Sequence, residues 1–318
     1  MEVNSVFVVI PNWNGRLELR KCLISLRGRA LDPRCSAVVV DNASSDKSVH
    51  MIENEFRWVT LIKNEENWGF SRASNQGIKY AMKHGATHIF LVNNDIEFTE
   101  GKWLDKLLAL CESDPQIGIV GCKLLYPDGK IQHAGGIVEL RGIRHRGHCE
   151  KDNGQYDNVE VVDYVTGAAL LIKTELVRKI GLLDEGFSPF YFEETDWCAR
   201  AAFKGYKVVY TPHPEFIHKE SATVKSVGSK KADFYFRRNW IRFILLNFGL
   251  GKICKRIVLY EPRDMLDAVI EESRTGKFPF KIKKEGAINL IIITRAWFSN
   301  LKNLNDINVR RKQRFNEM

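Results

Sequence analysis

The residues best suited to chemistry fall in a few short clusters. Asn93-Asn94-Asp95 follows the apolar run Ile89-Phe90-Leu91-Val92, which reads as a buried parallel strand delivering oxygen-bearing side chains where α/β sheets bind ligands. Asp95 can hold a divalent ion through hard oxygen ligands, and Asn93 offers a neutral oxygen or a hydrogen bond to a ribose; a polar strand-to-loop turn accounts for the same letters. About a hundred residues later comes Glu193-Glu194-x-Asp196 at an expected helix start, where the helix dipole alone favours carboxylates. Its aromatic surroundings, Phe190, Tyr191, Phe192 and Trp197, would exclude water and raise a carboxylate toward the range of a working base. His218, after Phe216-Ile217, is a candidate nitrogen ligand to the same metal. The pattern reads as a metal-diphosphate site faced by a carboxylate base.

Weaker single signals lie upstream. Asp41 ends an apolar run and can accept hydrogen bonds from a ribose or a pyrimidine imide, or simply cap a helix. Asn67, Gly69, Arg72 and Asn75 form a loop-to-helix set in which the arginine suits a phosphate or a sheet edge equally.

These clusters need a frame. Runs at 5–11, 37–41, 58–62 and 87–92 read as strands, separated by helical periods such as Leu19, Cys22, Leu23 and Leu26. Such alternation predicts a mainly parallel sheet flanked by helices, with the loops after Ile10, Val40 and Val92 on one edge. Further strands are expected at 117–125 and 167–172, a helix at 193–204, and a short strand at 208–210 leading into a loop that carries His213 and His218. Residues 126–163 read as loops and short strands around an acceptor cleft.

The chain has 318 residues and a net charge of +9. Residues 219–318 hold 22 Lys and Arg against 10 Asp and Glu, whereas residues 1–218 hold 26 against 29, so the excess lies in the last third. Such asymmetry fits an anionic partner surface, membrane headgroups or nucleic acid, or solvated helix faces. No helix-turn-helix or zinc spacing supports nucleic acid. No apolar run reaches the roughly 20 residues of a spanning helix. Seven cysteines without a Cys-x-x-Cys pair, and no signal-peptide pattern, fit a reducing cytoplasm. The domains expected are 1–230, with a nucleotide-binding half to about 98, and a basic helical region over 231–318.

Five ordered stretches carry a family likeness: 9–15 (Val-Ile-Pro-Asn-Trp-Asn-Gly), 40–46, 64–70, 93–95 and 191–197. Over about residues 5–245 the chain resembles inverting nucleotide-sugar glycosyltransferases of family 2, with the GT-A fold, on the rhamnosyl- and galactofuranosyl-transferase side. The resemblance implies a dTDP- or UDP-sugar donor, with Pro11, Asp41 and Asn67 near base and ribose and Asn12, Asn14, Gly69, Arg72 and Asn94 in the same binding set. It places Asn93 and Asp95 at ribose and metal, with His218 completing the shell of Mg²⁺ or Mn²⁺. The family's base is usually the second residue of the acidic pair and usually Asp; here that position is Glu194, with Glu193 as the alternative and Asp196 nearby. Many members also have Asp where this chain has Asn93, which removes one anionic ligand and opens a rival reading, a non-catalytic nucleotide-sugar-binding partner. Acceptors on this side are often lipid-linked glycans. Trp240, Phe243, Leu246, Phe248, Ile291, Ile292, Trp297 and Phe298, interleaved with Lys and Arg, are then candidates for peripheral membrane contact at the inner face of the membrane, for a helical core or for a homodimer interface.

Overall fold

The computed structural model describes residues 4–29, 32–99, 101–219, 228–272, 280–283 and 285–316. The chain forms two compact units, Met1–Val138 with Ile143–Thr223, and Glu139–Gly142 with Val224–Met318. Most of the polar stretch 221–229 lies outside the described residues.

The first unit is built on one mixed sheet. β1 (Val6–Asn12), β2 (Cys35–Asp41), β3 (Thr60–Lys63) and β4 (His88–Val92) are parallel, linked by α1 (Arg16–Arg29), α2 (Ser48–Glu55) and α3 (Phe70–Lys83). Register sets Asn12 opposite Asp41 and Val9 opposite Leu91, so the polar residues after β1, β2 and β4 emerge on one edge. There follow β5 (Ile96–Phe98), α4 (Trp103–Ser113), β6 (Ile117–Leu125), β7 (Ile131–His133), β8 (Gly136–Glu139), β9 (Gly142–His145), β10 (Glu160–Val161), β11 (Ala169–Lys173), α5 (Thr174–Ile180), α6 (Glu193–Phe203) and β12 (Lys207–His218). The strand order is β10-β12-β6-β11-β4-β1-β2-β3, with β11 antiparallel to both neighbours.

Two expectations are corrected here. The segment expected as a short strand followed by a loop is β12, one strand through to His218; its pairing with β6 shifts register between Thr211 and Glu215 and then resumes. The cis His213-Pro214 bond and an irregular register hide this strand from a periodicity reading. Its far end pairs with β5, a strand the sequence pattern did not reveal, so His218 sits opposite Ile96 rather than in a loop.

Side-chain parity divides the core. Val6, Val8 and Ile10 pack with α1 and α4 residues such as Leu23 and Trp103, while Phe7 and Val9 pack with Ala73 and Ile78 of α3 on the other face. A strand covered on both faces must be apolar at every position, which explains the unbroken run. Each buried Val or Leu contributes roughly 1.5–3 kcal/mol, enough to anchor strand ends whose loops are polar. Gly77 lets α3 approach the sheet closely, for a Cβ there would lie 2.4 Å from Val9 Cγ1.

The second unit is helical: α7 (Ser229–Asn247), α8 (Leu250–Lys255), a π-helical turn (Arg256–Tyr260), α9 (Glu261–Val269), the strands β13 (Ile270–Glu272) and β14 (Phe280–Ile282), α10 (Gly286–Lys302) and α11 (Leu304–Asn316). Arg242 ties α7 to Asp306 of α11 at 2.8 Å, and Asn300 Nδ2 donates to the Arg238 carbonyl at 2.9 Å. Trp240, Phe243, Leu246 and Ile292 are buried inside this unit, so these four of the residues proposed for membrane contact are core instead. Among the described residues no helix is long and apolar enough to cross a membrane.

Candidate active site

The loops after β1, β2 and β4 meet through side-chain amides. Asn12, only 2% exposed, donates from Nδ2 to Asp41 Oδ2 at 2.9 Å and to Ser44 Oγ at 3.2 Å, while its Oδ1 accepts from Asn94 Nδ2 at 2.7 Å. Asp41 Oδ1 also accepts the Ser44 N–H at 2.9 Å, and Asn14 Oδ1 accepts the Ser45 N–H at 2.8 Å. Gly15 is required beneath this network, since a Cβ would meet Asn94 Nδ2 at 2.2 Å. Pro11 lies within β1, paired with Val40.

The 64–75 set divides. Asn67 Oδ1 caps the Gly69 N–H at 2.9 Å, and Arg72 stacks on Trp68 with its guanidinium 3.7 Å from the ring centre. Asn64, not singled out in the sequence, instead reaches inward to Asn42 Oδ1 and Gln76 Oε1, both at 2.8 Å, and Asn42 donates to the Gly69 carbonyl at 3.2 Å. Asn75 fastens α3 to the loop after α5, exchanging hydrogen bonds with the Leu183 backbone at 3.0 Å each.

Asp95 and His218, distant in sequence, come together. Asp95 Oδ1 lies 3.1 Å from His218 Nε2, and Asn93 Nδ2 lies 3.2 Å from the same nitrogen. Gln132 Oε1 accepts from His218 Nδ1–H, which leaves the Nε2 lone pair of the neutral ring facing the carboxylate. The Asn93 amide donates to that lone pair, and a cation or proton shared between Nε2 and Asp95 would satisfy the two electron-rich atoms directly. The donor set of one carboxylate and one imidazole, backed by a tautomer-fixing amide, fits a divalent ion whose other positions are taken by diphosphate oxygens and water. Among the described residues no group of three or more His, Cys, Asp or Glu side chains forms a fuller metal cage.

The acidic cluster opens α6 under backbone constraint. Tyr191 and Phe192 both adopt left-handed conformations, φ 81° and 74°, uncommon for aromatic residues, and Phe192 is buried. This constraint aims three carboxylates differently. Glu193 is buried. Asp196 is wholly buried and accepts from Arg200 Nε at 2.9 Å, while Arg200 NH2 holds the Leu182 carbonyl at 2.8 Å, so Asp196 secures α6 to the preceding loop. Glu194 is half-buried, and burial pushes its carboxyl up to about 7, against the opposing effect of hydrogen bonds from the N–H groups of Glu194, Thr195 and Gly167.

One short loop joins the two sets. Gly167, on which a Cβ would lie 3.3 Å from Glu194 Cβ, precedes Ala168, whose carbonyl accepts the Asn93 N–H at 3.0 Å. Thus Glu194 and the Asn93–Asp95 turn are fixed by adjacent residues of the segment entering β11. The sequence marked Gly167 only as the start of an expected strand. It gave no signal for Gln132, which is a glutamine on a three-residue strand.

A mixed sheet of mostly parallel strands flanked by helices, with polar strand ends along one edge, is the GT-A architecture of glycosyltransferases. Among solved structures, GalNAc-T7 with UDP, GalNAc and Mn²⁺ superposes with a TM-score of 0.60 at 16% identity, covering 77% of this chain and 48% of that one. The sequence model for glycosyl transferase family 2 matches residues 7–177, more than half of the chain, and the protein belongs to that family. It is 31% identical over 252 residues to the uncharacterized protein y4gI of Sinorhizobium fredii, covering 74% of this chain and 27% of the relative. It is 27% identical over 240 residues to the O-antigen biosynthesis protein RfbC of Myxococcus xanthus, covering 72% of this chain and 18% of the relative. The chain therefore spans about a quarter or less of the length of these two relatives.

Proposed function

We propose that the protein transfers a sugar from a dTDP- or UDP-sugar to a hydroxyl of a cell-surface glycan or lipid-linked acceptor, with inversion. The observation that carries this reading is Glu194, a half-buried carboxyl raised to about 7, held by the same loop that fixes the turn bearing Asp95. Glu194 takes the proton from the acceptor hydroxyl, whose oxygen attacks the anomeric carbon as the nucleoside diphosphate departs. Asp95 and His218 would hold Mg²⁺ or Mn²⁺, which when bound offsets negative charge on the leaving diphosphate. Asp41, carried by Asn12 and Ser44, is placed to accept from the nucleoside. A raised base in a paired-residue site favours this reading over a non-catalytic nucleotide-sugar binder.

A panel of nucleotide sugars, each with and without Mn²⁺, tests it by thermal stabilisation and then by product formation. The expected result is one donor whose stabilisation needs the metal and whose product has inverted configuration by NMR. A product retaining the donor's configuration would overturn the roles given to Glu194 and Asp95.

The second unit supports a membrane-proximal acceptor. Residues 250, 254, 258, 262 and 266 recur four apart, and Leu250, Val258, Leu259 and Leu266 are 55–71% exposed. Exposed Lys252 and Lys255 flank the first of them, Arg263 lies 3.9 Å from the exposed Asp267, and Glu261 and Asp264 turn to the buried Arg256. An apolar stripe with basic borders suits anionic lipid, and binding to phosphatidylglycerol vesicles that fails in Val258→Glu/Leu259→Glu is the expected outcome.

A further inference from the structure

Beside the residues already described lies a pair of histidines with no assigned part. His133 closes β7, and His145 closes β9. His133 is 1% exposed; its Nε2 accepts the Thr166 N–H at 3.3 Å and its Nδ1 lies 2.6 Å from His145 Nδ1. A backbone N–H can only donate, so His133 Nε2 is the lone-pair nitrogen and its ring proton is on Nδ1. That proton is donated to His145 Nδ1, which in turn leaves the His145 proton on Nε2. Neighbouring positions on a strand face opposite ways, and here Gln132 holds His218 while His133 holds Thr166.

We propose that His133, with its tautomer fixed by His145, is a positioning residue that holds the Thr166–Ala168 loop so that the Gly167 N–H meets the Glu194 carboxylate. The contact chain runs from His145 to His133, to the Thr166 N–H, and one residue on to Gly167. A protonated His133 would set N–H against N–H at Thr166 and release the loop. The surroundings keep the pair neutral: burial first, then His145, Arg146 and His218, press His133 well below the ordinary histidine range, and burial with His148 lowers His145 to about 4. Among the described residues Tyr164 and Cys198 feel the Glu194 charge, and burial holds both neutral.

The inference rests on Glu194 being the base only for its kinetic consequence; the contact can be read without turnover. The protein is labelled with ¹³C at glutamate carboxyls and titrated, with the Glu194 signal identified by its loss in Glu194→Gln. His133→Leu is expected to move the Glu194 titration upward by about one pH unit, the effect of losing one backbone donor to a carboxylate. His133→Gln, whose Oε1 can occupy the Nε2 position, is expected to restore it. His145→Leu, at a less buried position, is expected to shift it in the same direction as His133→Leu and guards against misfolding of that variant. A titration unmoved in His145→Leu and in folded His133→Leu, or moved equally in His133→Gln, overturns the proposal. Full transferase activity in Glu194→Gln would instead overturn the base assignment and leave the titration result standing.

Discussion

The two sides of the site are built by different means. On the donor side, Asn12, Asp41 and Asn94 each follow a parallel strand of the first half, and their amides and carboxylate satisfy one another within a few residues of the strand ends. On the opposite side, Glu194 lies in the first turn of helix α6, Gly167 precedes the antiparallel β11, Gln132 sits on the short β7 and His218 ends the register-shifted β12, and no two are neighbours in sequence. The first side is a local consequence of topology, redundant in its hydrogen bonds. The second depends on long-range contacts, so single substitutions there should reach the base and the metal-holding pair directly.

The sharpest test of that contrast is Glu194→Gln, expected to lower kcat by about 10²–10⁴ while leaving donor-induced thermal stabilisation intact. A comparable loss of donor binding would erase the distinction between the two sides. Next, Gln132→Leu is expected to weaken Mn²⁺ affinity about 10–100-fold, measured by metal titration of nucleotide-dependent stabilisation, because His218 loses the acceptor that fixes its tautomer. On the donor side Asp41→Asn should raise the donor Kd by about tenfold with kcat little changed, since one charge-assisted hydrogen bond is worth roughly 1.5–3 kcal/mol and the Asn12 network partly compensates.

The pH dependence follows from the same carboxyl. Glu194 acts as a base only when ionised, so kcat/KM should fall tenfold per unit below about 7. Its native value is raised above that of an unfolded glutamate, so the native state binds more protons between the two; this group's stabilising contribution is complete below the unfolded value and is lost as pH rises through about 7. Denaturant midpoints of Glu194→Gln, compared with the unaltered protein across that window, should lack this decline. The smallest effect expected on activity falls on neither side: Gly77→Ala, with a Cβ 2.4 Å from Val9 Cγ1, should cost about 1–3 kcal/mol in stability and leave the pH profile in place.

Much of the frame was legible before any coordinates. Unbroken apolar runs such as Val6–Ile10 can only be strands covered on both faces, and helical periods between them dictate parallel order, which in turn sends the residues after each strand to one edge. That reasoning reaches Asp41, Asn93 and Asp95 without a contact map. It places Asn67 near base and ribose and passes over Asn64, whose amide turns inward to Asn42 while Asn67 caps the Gly69 N–H, because a two-residue Asx turn and an inward amide look alike in sequence. It leaves Trp240 and Phe243 open between membrane contact, a dimer interface and a helical core, and the second unit buries them.

Sequence by itself determined the parallel strands of the first half, the helices between them and the polar residues at their ends, because periodicity and turn chemistry act over a few residues. Tertiary structure alone decided that Gln132 reaches His218, that His133 reaches Thr166, and that Arg200 claims Asp196 while Glu194 remains raised and half-buried. Those outcomes depend on antiparallel register and on burial, quantities set by the whole packed sheet and carried by no stretch of letters.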